Sequence, residues 1–180
     1  MIDRSALIAL LRERSVRHGD FVLASGRKSQ FYIDARLTTM SPEGLSMIGT
    51  LGLLALNQSG WNVDAIGGLT LGADPISYAI SYASASSRPL RAFTVRKESK
   101  AYGAGKLIEG PFREGDRVAV IEDVITTGGS AIRATEAIQS AKGIVTGVLA
   151  LVDREEGGRA NIEALGIPVI SLVQAGEITN

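Results

Sequence analysis

Between Val63 and Val173 short apolar runs alternate with stretches of helical spacing, and this alternation restricts the fold more than any other feature of the chain. The apolar runs predict strands over residues 63–67, 89–95, 117–121, 147–152 and 168–173. Residues 75–83, 130–141 and 159–165 have helical patterns, and residues 96–110 read as a polar, glycine-containing loop. Strands that are apolar throughout must be covered on both faces. The pattern therefore predicts an α/β fold, a mostly parallel central sheet flanked by helices. Upstream, Leu7, Leu10 and Leu11 predict a helix over 2–14. Ser41 as N-cap and Pro42 in the first turn start another over 42–57. Short strands are expected at 21–24 and 31–34 around a turn at 25–29. No repeat or long linker divides the chain, so residues 1–180 read as one domain.

Composition removes several chemistries. The chain has no cysteine, which excludes disulfides, thiolate zinc sites and cysteine nucleophiles. Its one histidine, His18, excludes Ser-His-Asp triads and multi-histidine metal sites, and reads as an ordinary surface or helix-end residue. Lys+Arg and Asp+Glu stand at 19 each, so no overall basic excess attracts nucleic acid or membrane, and anion binding must come from a local cluster. Residues 1–14 are charged and lack the apolar core of a signal peptide, and the apolar stretch at 51–56 is too short to cross a bilayer. Absence of cysteine fits a cytoplasmic protein.

The richest segment follows the predicted strand at 117–121. There Glu122 and Asp123 precede Val124 and Ile125, and then come Thr126, Thr127, Gly128, Gly129 and Ser130 at the start of a helix. Glycines let backbone N–H groups approach a ligand, and the first amides of a helix have no helical partner. A phosphate satisfies them, helped by the hydroxyls of Thr126, Thr127 and Ser130. Hydrogen bonds to a charged group contribute roughly 1.5–3 kcal/mol each, so several together anchor a phosphate monoester. The two acids would repel a triphosphate but accept hydrogen bonds from vicinal hydroxyls and stabilise positive charge on a ribose ring. The combination implies a ribose 5-phosphate. Thr-Thr-Gly-Gly-Ser alone would be an ordinary βα turn, and the segment has neither a Walker lysine nor a dinucleotide Gly-x-Gly-x-x-Gly.

Three other segments bear on the site. The loop at 96–110 gathers Arg96, Lys97, Lys100 and Lys106 with Gly103 and Gly105, which suits either a lid over a polyphosphate or a solvated loop. Residues 67–74 form a glycine-rich turn, either a second phosphate seat or a tight connection. Arg154 either meets a ligand carboxylate or pairs with Glu155, Glu156 or another acid.

Over nearly its full length the chain resembles the orotate phosphoribosyltransferases. The motifs are residues 122–130, Ser25-Gly26 followed by Phe31, Tyr32, Ile33 and Asp34, the loop with Arg96, Lys97, Lys100 and Gly103, and Asp153 to Gly157. The resemblance implies the type I phosphoribosyltransferase fold, with a small N-terminal hood within residues 1–40 and a mobile lid. It implies transfer of the 5-phosphoribosyl group from phosphoribosyl pyrophosphate (PRPP) to orotate, giving orotidine 5′-monophosphate and pyrophosphate. It also implies Mg²⁺, held mainly by substrate and water rather than by protein ligands, and a homodimer with shared sites. By the same resemblance Glu122 and Asp123 hold the ribose, Val124, Ile125 and residues 126–130 the 5′-phosphate, and Arg96, Lys97, Lys100 and Tyr102 the pyrophosphate. Lys100, Glu122 and Asp123 are the catalytic candidates. Thr126, Arg154, Phe31 and Tyr32 are the orotate contacts. The chain departs from the common family pattern in having Ala24 for a lysine, Tyr102 for a histidine and no lysine in 67–74. Lys28 is the candidate substitute cation.

Overall fold

The computed structural model describes residues 3–22, 26, 28–98 and 107–179. Ala24, Lys100, Tyr102, Lys106 and the centre of the predicted lid lie outside the described residues. Helix α1 (Arg4–Ser15) is capped by Asp3, whose carboxylate accepts from the Ser5 amide at 3.0 Å. It leads directly into β1 (Val16–Val22), which pairs antiparallel with β2 (Lys28–Ile33) in a separate two-stranded ribbon. The short α2 (Arg36–Thr39) and then α3 (Pro42–Gln58) follow; Ser41 caps α3 as its sequence predicts, accepting from the Gly44 amide at 3.1 Å.

The remainder alternates: β3 (Ala65–Leu69), α4 (Ala73–Ser84), β4 (Arg91–Val95), β5 (Ile108–Glu109), β6 (Arg117–Ile125), α5 (Gly129–Ser140), β7 (Ile144–Asp153), α6 (Gly158–Glu163), β8 (Val169–Gln174) and α7 (Gly176–Thr179). These strands form one sheet in the order β5-β4-β3-β6-β7-β8, parallel throughout except at β5. Period-two alternation sends Ala119 and Ile121 of β6 to one face, where they meet Leu7, Leu11, Ile48 and Ile80. Val118 and Val120 face the other core, with Ile138 and Ile162. Each fully buried Leu or Ile contributes about 1.5–3 kcal/mol, so the two cores pin the sheet's register from both sides. At the end away from the site, Asp64 accepts from Arg117 Nε and Nη2, both at 2.9 Å, and those bonds pull its pKa down to about 2.

The structure differs from the sequence-based expectation in identifiable ways. The ribbon starts at Val16, paired with Ile33, rather than at residue 21; the sequence gives no sign of this because Arg17, His18, Gly19 and Asp20 are exposed and carry no apolar alternation. Strand β6 continues past 121 through both acids to Ile125, paired with β7 as far as Asp153. Elements α2, β5 and α7 were not predicted; they span four, two and four residues, too few for a periodic signal.

Candidate active site

A cavity of about 650 Å³ opens beyond the carboxyl ends of β3, β6 and β7, the place where open parallel sheets bind ligands. All nine residues from Glu122 to Ser130 line it. Gly128 makes the turn into α5 with φ +84°, a conformation that favours glycine. A Cβ there would also lie 2.8 Å from the Gly158 carbonyl oxygen, so the phosphate loop and the loop after β7 touch backbone to backbone. Asn161 on α6 adds a further support, donating to the Thr127 carbonyl at 3.0 Å. Sequence reading did not single out Gly158 or Asn161, since both act through residues distant along the chain.

Glu122 is buried and Asp123 half-buried, both bordering the cavity. A Cβ on Gly72 would collide with the Asp123 carboxylate, so the turn after β3 and the acid pair are in direct contact. Desolvation, and secondarily the adjoining Asp123 carboxylate, push the Glu122 pKa well up. A carboxyl raised in the folded state binds more protons folded than unfolded, so stability falls as pH rises from its unfolded pKa to its folded one. Glu122→Gln removes that loss. The variant is expected to melt several degrees above the parent protein at about pH 7.5 and at nearly the same temperature at about pH 4. Melting curves across that range check this; an advantage that did not change with pH would contradict it.

The turn at 67–74 proves to be both a tight connection and part of the cavity. Asp74 is buried and accepts from Thr70 Oγ1 at 2.6 Å and Thr94 Oγ1 at 2.8 Å, while the Thr70 amide donates to the Val95 carbonyl at 2.8 Å. Its carboxylate thus ties the turn to the end of β4. Thr70, Leu71 and Gly72 face the cavity, and the Thr70–Leu71 peptide is cis.

Arg154 follows β7, its amide donating to the Ile125 carbonyl at 3.0 Å and so continuing the ladder beside the phosphate loop. The structure shows the pairing with an acid and leaves the guanidinium at the edge of the cavity. Its guanidinium donates through Nε to Glu156 Oε1 at 2.9 Å and through Nη2 to Ser29 Oγ at 3.2 Å, yet Arg154 also borders the cavity. It lies 4.6 Å from the centroid of the Phe31 ring, which supports it by cation–π attraction. Phe31 therefore backs Arg154, while Tyr32 lines the cavity itself.

The two described cations after β4 divide. Lys97 lines the cavity, and its carbonyl accepts from Arg133 Nη2 on α5 at 3.1 Å. Arg96 is not in the lining; its Nε donates to the Glu98 carbonyl at 3.3 Å and Nη1 lies 3.7 Å from Glu109. Lys28 is also elsewhere. It pairs with Val22 in the ribbon and borders a groove with Asp20, Phe21 and Gln30, so the suggested substitute cation is corrected. Asp34, the last residue of the Phe31–Asp34 motif, lines the cavity together with Arg36, which the sequence reading passed over. Their one signal is the Asp-x-Arg spacing at the start of α2.

A parallel sheet with a glycine turn into α5, two adjacent acids at the end of β6 and no Walker lysine describe the type I phosphoribosyltransferase class. No protein-family model matches the chain. It is 47% identical over 182 residues to the orotate phosphoribosyltransferase of Aquifex aeolicus strain VF5, covering 99% of this chain and 98% of the relative. The crystal structure of Mycobacterium tuberculosis H37Rv orotate phosphoribosyltransferase with Fe(III) dicitrate superimposes with a TM-score of 0.86 at 41% identity, covering 98% of this chain and 99% of that one. The same enzyme in complex with PRPP gives 0.82 at 38% identity, with the same coverage. The chain belongs to the orotate phosphoribosyltransferase family.

Proposed function

We propose that the protein transfers the phosphoribosyl group of PRPP to orotate, releasing pyrophosphate and orotidine 5′-monophosphate in UMP biosynthesis, with residues 1–180 acting as one domain. The observation that carries this is the junction of the phosphate loop, the acid pair and Arg154 around one cavity. The M. tuberculosis relative that binds PRPP supports it.

In this reading the amides and hydroxyls of 126–130 hold the 5′-phosphate, and Asp123 and Glu122 hold the ribose hydroxyls. The bond from the anomeric carbon to the pyrophosphate oxygen breaks, with its electron pair leaving on pyrophosphate, and the pyrimidine nitrogen attacks that carbon. Asp123 faces the ring as positive charge develops and stabilises it there. Glu122, kept toward its protonated form by burial, can donate to a hydroxyl while Asp123 accepts. Lys97, which lines the cavity, is assigned to the departing pyrophosphate, as are Arg96, Lys100 and Tyr102 by family pattern. Arg154, backed by Phe31, turns toward the orotate carboxylate, and Thr126 and Tyr32 complete the base site.

Among the described residues no group of three or more His, Cys, Asp or Glu side chains is arranged to hold a metal ion. Asp123 and Asp34 in the lining are carboxylates that would be available to Mg²⁺ carried in with the substrate. When bound, Mg²⁺ supplies charge neutralisation on pyrophosphate.

Turnover with orotate against uracil, adenine and hypoxanthine tests the assignment. Orotate alone should be used efficiently, and a preference for a purine or no turnover at all would overturn it. We further infer a homodimer in the cytoplasm. Tyr82 is 86% exposed on α4, one turn from exposed Tyr78, and Leu71 is exposed on the adjoining turn. An apolar stripe beside the site suits a self-complementary two-fold interface. Tyr82→Lys should shift sedimentation toward monomer; an unchanged dimer would exclude this face.

A further inference from the structure

Phosphoribosyl pyrophosphate carries a strongly anionic pyrophosphate, yet the turn at 67–74, whose residues 69–72 line the cavity, contains no cation. Of the described cations in the cavity lining, Arg154 has a side chain only 3% exposed and engaged by Glu156, Ser29 and Phe31. That leaves Lys97 and Arg36. The Arg36 side chain is 47% exposed, and it borders the cavity together with Thr70, Leu71, Gly72 and Asp123.

Its geometry is that of a presented fork. Asp34 Oδ1 accepts from Arg36 Nε at 2.8 Å and from its amide at 3.2 Å, and Asp34 Oδ2 accepts from Nη2 at 3.0 Å. Side-on pairing uses the Nε–Nη2 edge of the guanidinium. The Nη1–Nη2 edge, with its parallel N–H groups, meets no other acceptor in the described hydrogen bonds. A half-exposed pair of this kind contributes little to stability, so its fixed orientation is the more informative property. The chain before Arg36 is also anchored, since Ala35 is buried and the Asp34 amide donates to the Ser15 carbonyl at 2.9 Å. The negative field of the cavity reaches the group: the Arg36 pKa is raised first by Asp34, with a contribution from Asp123.

We propose that Arg36, oriented by Asp34, is a binding residue for the pyrophosphate group of the substrate, a contact made from the segment after the ribbon rather than from the turn after β3. The inference rests on PRPP being the substrate. Arg36 is a ligand contact and Asp34 its positioning residue. A planar guanidinium already held on one edge can grip two phosphate oxygens with the other and loses little rotamer freedom in doing so.

Calorimetric binding of PRPP, pyrophosphate and ribose 5-phosphate, each with Mg²⁺, to the parent protein and to Arg36→Gln, Arg36→Lys and Asp34→Asn tests this. Arg36→Gln should weaken PRPP and pyrophosphate roughly tenfold or more and leave ribose 5-phosphate unchanged. Arg36→Lys, which keeps the charge but not the fork, should recover part of the loss, and Asp34→Asn should show a smaller loss of the same pattern. Melting temperatures of the variants should match the parent closely. Equal weakening of ribose 5-phosphate, or no change for pyrophosphate, would overturn the proposal while leaving the PRPP assignment intact. A parent protein that binds ribose 5-phosphate but not PRPP would overturn both.

Discussion

Arg154→Ala is expected to lower kcat/KM for orotate by roughly a hundredfold or more, the cost of leaving a desolvated ligand charge without its partner. Activity with uracil, already poor, should change little, because uracil has no carboxylate for the guanidinium to meet. The discrimination between the two bases should therefore collapse. Two controls separate this from unfolding. Arg154 is buried against Glu156, Ser29 and Phe31, so its removal also destabilises the fold, and melting must be measured alongside. Binding of ribose 5-phosphate should survive, since the phosphate loop is held by its own supports at Gly158 and Asn161. An alanine variant that is folded, binds ribose 5-phosphate and still prefers orotate over uracil by the parent ratio would remove Arg154 from the base site.

Asp123→Asn should have the second large effect, with a different signature. Asparagine preserves the shape and can still accept from a hydroxyl, so PRPP affinity should fall by less than about tenfold. Turnover should fall by about a hundredfold or more, because a carboxylate's advantage over an amide grows as the ribose becomes cationic. The carboxylate is held for this, lying against the Gly72 backbone and accepting from the Val124 amide at 2.9 Å. Single-turnover rates at saturating PRPP, set beside its equilibrium affinity, measure the split. Equal losses in both would assign Asp123 to ground-state binding alone.

Much of this site could be read along the chain because its central part is local. The run from Glu122 to Ser130 is one strand end, one turn and one helix start, and each residue's role follows from its neighbours. The parallel sheet was equally legible, since strands buried on both faces leave apolar runs that need no partner to be recognised. The ribbon was read less well. Residues 17–20 are exposed without apolar alternation, and pairing between Val16 and Ile33 is a fact of two segments, neither of which announces it.

The sequence by itself determined the fold class, the strand–turn–helix junction at 122–130 with its acid pair, and the candidacy of Arg154, because each depends on residue type at short spacing. Only the tertiary structure decided which cations share the cavity. Arg96 turns to Glu109 and Lys28 lies along another groove, while Lys97 and Arg36 face the site. Long flexible side chains leave no record of direction in the sequence; backbone register and the nearest acid set it, as Asp34 does for Arg36. The same holds for Gly72, where the Asp123 carboxylate leaves no room for a Cβ, and for Gly128, where the Gly158 backbone does.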